Sequence, residues 1–253
     1  EAQSAGPVDF QEKLLPLILQ DAEEAFYLAM HRNGTLPESA HALLEHAQQT
    51  GTPDWAPLVA AEVPSEQRFN WDALSQPIPD RALDSPESYR VFFEQYLLDD
   101  LEQARLGNLQ SPRKAACDVL RDHRERMAAA IDFKGLTGES QRWLYEEFLP
   151  LLKRLSVGPP KERIAQWIAL SQAGILHADL GPGVRIEYIP RGVILRNDRW
   201  PEFAVLADVL LDARLPVDGP GDDPLLARLC DTGVARFFQN ADYASRGVDV
   251  SPS

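Results

Sequence analysis

The stretch from Asp84 to Asn108, DSPESYRVFFEQYLLDDLEQARLGN, predicts a long amphipathic helix. Ser85 is a favourable N-cap, Pro86 suits the first helical turn, and Gly107 suits the residue just after a helix. The apolar residues recur at helical spacing and form one broad face: Tyr89, Phe92, Phe93, Tyr96, Leu97 and Leu101. The acidic residues Asp99, Asp100 and Glu102 fall outside this face, and we expect them to face water.

The next stretch, GNLQSPRKAACDVLRDHRER (Gly107 to Arg126), predicts a second helix that runs to about Ala130. Ser111 is its expected N-cap. Arg113 and Lys114 follow at once, although the first turn of a helix carries partial positive charge and disfavours cations. The stretch from Arg105 to Arg126 has six lysines and arginines against three acidic residues, a local charge of +3, whereas the other residues carry −17.

Two interpretations of this basic stretch are open. Pairs within the helix can neutralise part of its charge, namely Lys114 with Asp118, Arg121 with Glu125 and Asp122 with Arg126. They leave Arg113 and Arg124 unassigned. Either acidic residues elsewhere in the chain compensate these two cations, or the stretch binds an anionic partner.

Helical spacing also covers most of the first 180 residues. The sequence predicts helices over Phe10–Met30, Pro37–Gln49 with Gly51 as its end, Ser140–Leu149 up to Pro150, and from Gly158 to Gly174. We expect Thr137 or Ser140 to cap the third of these.

The pattern changes after Gly181. Alternating residues around Pro190-Arg191-Gly192 predict a hairpin. The apolar run Phe203–Leu211 predicts a buried strand, and a short helix should end at Gly233. The fold class is therefore mainly α with a smaller mixed α/β C-terminal portion (α+β overall): a helical domain over 1–180 and a partial α/β nucleotide-binding-like region over 181–253.

Composition excludes several classes of protein. The 253 residues carry a net charge of −14, which argues against binding to nucleic acid or to anionic membranes. No run approaches the apolar length of a membrane span. Cys117 and Cys230 both fall in predicted helices, and we interpret them as reduced thiols of a cytosolic protein, with a single disulfide as the alternative.

Most motifs that carry chemistry are missing from the sequence. It has no GxGxxG, no GxxxxGK[ST], no HExxH and no GxSxG. The five histidines lack the spacing of a metal site, so no metal site is predicted. The turn DGPGDDP, from Asp218 to Pro224, lacks the ligand spacing of a calcium loop. No general base or nucleophile can be assigned, and the catalytic residues are unknown.

Several phrases together resemble the central region of a family of large bacterial FAD/NAD(P)-binding proteins. They are YLLDDLEQARLGNLQSPRKAACDVLRDHRERM, DFKGLTGES, FLPLLKRLSVGPPKERIAQWIALSQAGIL and GPGVRIEY, with FNWDALSQPI upstream and VLLDARLP, DPLLARLCDTGVAR and GVDVSP downstream. The match is best from Phe69 to Pro252. None of these phrases is itself a cofactor motif.

The resemblance implies that the complete protein is a flavin-dependent oxidoreductase or monooxygenase that uses FAD and NAD(P)H. Family members begin with a Rossmann half that carries the glycine-rich FAD fingerprint, and they end with a segment that completes the flavin domain. We therefore expect this chain to bind no flavin alone and to need those Rossmann segments, or a partner chain that supplies them. The small-molecule substrate is not implied.

In that context two helix starts become candidate contacts to cofactor phosphates or to an acidic substrate, because arginine and helix N-termini suit such anions. The candidate residues are Asn108, Ser111, Arg113, Lys114, Gly158, Lys161 and Arg163. The alternative from a different class is a non-catalytic helical module whose acidic surface and basic stretch bind a protein partner.

Overall fold

The computed structural model describes residues 6–52, 54–213 and 223–250. Over these residues the chain is mainly α-helical with two small antiparallel sheets towards its C-terminal end, which confirms the predicted fold class. The α-helices of the described part are α1 (Leu15–Arg32), α2 (Glu38–Thr50), α3 (Ala56–Glu62), α4 (Trp71–Ser75), α5 (Pro86–Gln110), α6 (Pro112–Asp122), α7 (Arg124–Ile131), α8 (Gly138–Trp143), α9 (Leu149–Ser156), α10 (Lys161–Gln172) and α11 (Pro224–Asp231).

The strands form two separate antiparallel sheets. They are β1 (Val184–Ile189), β2 (Gly192–Asn197) and β3 (Ala204–Ala207) in one sheet, and β4 (Phe237–Asn240) and β5 (Tyr243–Val248) in the other. Ile189 pairs with Gly192, so Pro190 and Arg191 form a two-residue hairpin loop. This confirms the predicted hairpin, whose residues carry a turn signal between alternating strands.

Backbone contacts divide the chain into two compact units that interleave along the sequence. Unit 1 comprises Glu1–Phe69, Ala115–Gly158 and Leu215–Ser253, and unit 2 comprises Asn70–Lys114 and Pro159–Arg214. The division into a helical domain over 1–180 and a nucleotide-binding-like region over 181–253 follows the change in secondary structure instead, and it stays a prediction.

The first part of unit 1 is a helical core built from α1, α2 and α3. Apolar residues from all three helices and their connections share this core: Tyr27, Met30, Leu36, Ala40, Leu44, Ala47, Trp55, Ala56, Val59 and Val63. The hydroxyl of Tyr27 accepts a hydrogen bond from the backbone of Phe69 at 3.2 Å. Trp55 is one of these core residues and therefore a packing residue.

A second cluster of unit 1 joins the start of the chain to residues about 130 positions later. Val8 bridges Leu136, and the backbone N–H of Phe10 donates to the Ser140 hydroxyl at 2.6 Å. Phe10, which is fully buried, packs against the rings of Trp143 and Phe148. Ser140 is thus a long-range anchor, while Thr137 is the N-cap of α8.

In unit 2, α5 and α10 pack antiparallel to one another. Leu97 and Leu101 of α5 share a buried cluster with Ile164 and Ile168 of α10. The hydroxyl of Ser171 donates to the Glu94 carboxylate at 2.6 Å. Residues later in α5 therefore lie beside residues earlier in α10. When this spacing is extended along both helices, the first residue of α10 falls level with Ala104.

Three local predictions differ from the structure. The run Phe203–Leu211 contains the short strand β3 rather than a buried strand: β3 lies at the edge of the described three-stranded sheet, and Leu206, Val209 and Leu211 are 66 %, 80 % and 85 % exposed. The helix predicted to stop at Pro150 continues, since Pro150 occupies the first turn of α9, where its missing N–H costs nothing. The helix predicted to run to Ala130 is interrupted at His123.

Two other sequence-based points are settled by the described residues. Cys117 in α6 is buried, Cys230 in α11 is half-buried, and neither of them forms a disulfide. None of the helices in residues 6–52, 54–213 and 223–250 combines the length and apolar character needed to cross a membrane. The acidic turn from Asp218 lies mostly outside the described residues.

Candidate functional site

The start of α6 is fixed by Ser111, as its sequence predicts. The side chain of Ser111 is fully buried and accepts a hydrogen bond from the backbone N–H of Lys114 at 3.2 Å. Its hydroxyl donates in turn to the Gln103 side chain at 2.7 Å. Ser111 therefore caps α6 and ties that cap to the preceding helix, α5.

The two cations in the first turn of α6 are compensated within this chain. Gly107 has φ 74° and ψ 176°, which interrupts α5 and turns the chain back alongside it. Arg113 consequently lies 2.5 Å from the Asp99 carboxylate, and Lys114 lies 2.5 Å from Asp100. These two carboxylates remain partly exposed to water, as predicted, and they also pair with the two cations.

The rest of the basic stretch is only partly neutralised. Arg121 pairs with Asp118 rather than with the predicted Glu125, and Arg105 pairs with Glu102. Within the part of the chain that the structure describes, Arg124 makes no ion pair. Ion pairs within the described residues thus neutralise the charge of Arg113 but not that of Arg124.

We expect the contact between Arg113 and Asp99 to stabilise the fold only weakly. Their side chains are 40 % and 46 % exposed, and solvent screens such pairs, so the coupling energy should be below about 1 kcal/mol. The measurement is a double-mutant cycle of Arg113→Ala and Asp99→Ala by urea denaturation. A coupling above about 2 kcal/mol would show that this pair is a structural element of unit 2.

The start of α10 carries cations that lack acidic partners among the described residues. Lys161 and Arg163 are exposed, and Arg163 donates to the Gln166 side chain at 2.8 Å. Asn108, just past the break at Gly107, is also exposed. These residues are accessible to an anion, whereas the neighbouring cations of α6 already face carboxylates.

The structure brings the two helix starts to the same height along α5, but it does not merge them into one pocket. The cap of α6 touches Gln103, and α10 begins level with Ala104. At 100° per residue, however, Gln103 and the α10-facing residues Leu97 and Leu101 point to roughly opposite sides of α5. The boundary between the two units falls just after Gly158. The roles of the seven candidate residues as cofactor contacts stay a prediction.

Groups with displaced pKa values lie outside this candidate set. Burial raises the pKa of Glu23 and of Tyr27 in α1, and it also raises the pKa of Tyr89 at the start of α5. Desolvation disfavours the charged form of each group. None of the three is close in sequence to a candidate anion contact, so the pKa shifts do not add a general base to the candidate site.

Unit 1 contains a cavity of about 250 Å³ that the sequence did not indicate. It is lined by Ile131, Asp132, Phe133, Gln141, Tyr145, Phe238, Ser245, Val248 and Val250. Its wall combines apolar and aromatic side chains with polar ones, and Asp132 supplies one carboxylate. Such a lining suits a neutral or cationic group better than a dicarboxylate, because Asp132 would repel a second anion. The residues come from two segments far apart in sequence, 131–145 and 238–250, so no local motif could have revealed the cavity.

The sequence also did not indicate a cluster of two histidines and a glutamate. The Nδ1 atoms of His31 and His41 lie 2.9 Å apart, and Glu45 stands one turn after His41 on the same helix. The histidines lack metal spacing when they are read along the sequence. The hairpin between α1 and α2 brings them together in space.

Comparison with known proteins gives similarity over almost the whole chain. No protein-family model matches the chain. An L-aspartate N-monooxygenase (nitrosuccinate-forming) of Streptomyces davaonensis is 35 % identical over 99 % of this chain, and one of Streptomyces cremeus is 33 % identical over 97 %. A nitrosuccinic acid synthase of Aspergillus oryzae is 33 % identical over 100 % of this chain. The chain spans about 40 % of the length of these relatives.

These relatives leave one detail of the predicted resemblance unconfirmed. The family named from the sequence was bacterial, but one of the similar proteins is fungal. The relatives are N-monooxygenases, in agreement with the predicted oxidoreductase class. Their names do not state a cofactor.

The described residues do not provide the cradle for the FAD pyrophosphate. That cradle needs a parallel strand, a glycine-rich turn and a helix N-terminus in succession. Residues 6–52, 54–213 and 223–250 form antiparallel sheets and have no such unit.

Proposed function

We propose that this chain is part of an N-monooxygenase that oxidises the amino nitrogen of L-aspartate and forms nitrosuccinate. The observation that carries the proposal is the similarity to three relatives over 97 to 100 % of this chain, from two bacteria and a fungus. All three are named for the same product. Similarity over the whole chain supports a common activity more strongly than a short shared motif would.

FAD and NAD(P)H are the cofactors that we propose for the complete protein, and the chain would supply a helical portion on the substrate or NAD(P)H side. The flavin-binding Rossmann segments would come from the rest of the polypeptide or from a partner chain. Exposed apolar side chains support such a neighbour, since soluble surfaces rarely leave them uncovered in groups. Unit 2 exposes Tyr188, Leu206, Val209 and Leu211 in and next to its sheet.

Lys161 and Arg163 are the anion contacts that the chain supports best. L-aspartate has two carboxylates and NAD(P)H has phosphates, so either ligand requires cationic partners. These two residues are exposed and face no carboxylate in the described residues, whereas Arg113 and Lys114 are already paired with Asp99 and Asp100. We assign the α10 start, rather than the α6 start, to substrate or cofactor binding.

The activity is tested on the protein at its natural length. Purified protein should contain flavin, oxidise NAD(P)H faster when L-aspartate is added, and form nitrosuccinate that mass spectrometry detects. L-glutamate, which has one more methylene group, is the matched control substrate. Protein that is colourless, takes up no flavin and gives no L-aspartate-dependent oxidation would refute the proposal.

Charge reversal at the α10 start should weaken binding of an anionic ligand. For Lys161→Glu/Arg163→Glu we expect KM for L-aspartate or for NAD(P)H to rise at least about tenfold, because two attractive charges become repulsive. The control is Arg191→Glu, which reverses an exposed cation at the tip of the β1–β2 hairpin. Unchanged KM values for both ligands in the double variant would remove these residues from the site.

A further inference from the structure

We propose that His31, His41 and Glu45 form a binding site for a divalent first-row transition metal such as Zn²⁺. All three lie in the hairpin of α1 and α2 in unit 1. One ligand atom of each residue falls within 4.8 Å of the others. The inference does not depend on the proposed monooxygenase function, because none of the three belongs to the anion contacts.

The separation of the two imidazoles is close to what a shared metal ion requires. Zn–N bonds of about 2.0–2.1 Å at a tetrahedral angle place two ligand nitrogens about 3.3 Å apart. The Nδ1 atoms of His31 and His41 are 2.9 Å apart, so they need to separate by only a few tenths of an ångström. At this distance only one of the two Nδ1 atoms can carry a proton, which it donates to the other. A metal ion would bind both atoms in place of that proton.

The glutamate supplies the third ligand from the same helix face as His41. His41 and Glu45 are four residues apart in α2, a spacing that places side chains next to each other. Glu45 is exposed and the two histidines are half-buried. The carboxylate can therefore close over the ion from the solvent side with little loss of packing.

The backbone that carries these ligands is held rigidly. The turn between the helices is closed by hydrogen bonds from Thr35 and Leu36 to the Met30 carbonyl, at 2.9 and 3.1 Å. Gly34 adopts φ 75° in this turn, and Leu36 is buried in the core. Met30 and Ala40, the neighbours in sequence of the two histidines, belong to the same core. A site on such elements is preorganised.

The chemistry of the donors selects the class of ion. Two imidazoles and one carboxylate suit Zn²⁺, Cu²⁺, Ni²⁺ or Fe²⁺ better than Ca²⁺ or Mg²⁺, which prefer oxygen ligands. Three protein ligands leave at least one position for water. His31 also lies in the last turn of α1, where the partial negative charge of the helix end favours a cation.

Zinc titration of the 253-residue chain by calorimetry tests the proposal. We expect one equivalent of Zn²⁺ with a dissociation constant of about 1 µM or lower. His31→Ala and His41→Ala should each weaken binding at least about tenfold, and Glu45→Gln should weaken it by a smaller factor. His46→Ala, which removes an exposed histidine next to Glu45 in the same helix, is the matched control and should bind zinc as the unaltered chain does.

Cobalt spectroscopy separates loss of ligands from loss of folding. Co²⁺ in the site should give visible absorption bands of imidazole coordination, absent from His31→Ala and His41→Ala and retained in His46→Ala. Thermal melts in EDTA identify any variant that fails to fold. In the comparison, Glu45→Gln replaces such a variant, because it changes an exposed side chain. Binding that is weaker than about 100 µM, or that survives in both histidine variants, or that is lost in His46→Ala, would overturn the proposal.

Discussion

Phe10→Ala is expected to lower the free energy of unfolding by about 4 kcal/mol, since truncation of a buried phenylalanine removes its transfer energy and leaves a cavity. Phe10 is fully buried. Its ring centroid lies 6.0 Å from that of Trp143 and 5.1 Å from that of Phe148. The three rings form one aromatic cluster, so the lost contacts include favourable ring–ring geometry as well as apolar area.

The position of Phe10 in the chain adds to the expected effect. Its backbone N–H donates to Ser140, and Val8 exchanges hydrogen bonds with Gly135 and Thr137. The ring and these backbone bonds together hold the start of the chain against α8. Since the ring is fixed on both sides, the cavity left by alanine cannot collapse easily.

Urea denaturation followed by circular dichroism measures this loss. Leu17→Ala is the matched control, because Leu17 belongs to the adjoining helix α1 but is 59 % exposed; we expect it to cost less than about 1 kcal/mol. If Phe10→Ala costs no more than the control, the docking of the chain start on α8 is wrong.

The sequence predicts several helix ends correctly because their signals are local. Ser85 and Ser111 cap α5 and α6, and Gly51 adopts the left-handed conformation at the end of α2. Pro190 and Arg191 form the predicted hairpin loop. Each of these features depends on a few neighbouring residues, whose side chains or backbone freedom determine the local geometry.

The partners of charged residues could not be predicted in the same way. Arg113 meets Asp99 only because Gly107 takes a φ/ψ combination that reverses the chain between them. A glycine there indicates the end of a helix but does not specify the direction of the next one. The same reasoning covers His31 and His41, whose proximity depends on how the α1–α2 turn closes.

The candidate site stays a prediction. The sequence points to the start of α10 through Lys161 and its preceding prolines, and both Lys161 and Arg163 are exposed. The start of α6 packs on a different side of α5 from the start of α10, and helical spacing alone could not show this. No motif in the sequence indicates a substrate class, and the substrate that we propose rests on similarity to the three relatives alone.

Trp200→Ala should lower the free energy of unfolding by about 4 kcal/mol, the second large effect that we expect. Trp200 follows the β2 strand and is 7 % exposed. Its indole N–H donates to the Leu83 carbonyl at 3.1 Å, and its ring lies 6.4 Å from that of Tyr89. A side chain at Gly181 would approach the indole to 2.8 Å, so the ring also fills the space that this glycine leaves open.

Trp200 thus connects the three-stranded sheet of unit 2 to the start of α5, and two variants separate its packing from its hydrogen bond. Trp200→Phe keeps most of the ring but leaves the Leu83 carbonyl without its donor, and we expect a loss of about 1 to 2 kcal/mol. Tyr188→Ala in the same sheet, at a position that is 76 % exposed, should cost less than about 1 kcal/mol. If denaturation curves give Trp200→Phe the same loss of unfolding free energy as Trp200→Ala, the effect belongs to the hydrogen bond. If both variants lose little, the sheet packs on α5 without this residue.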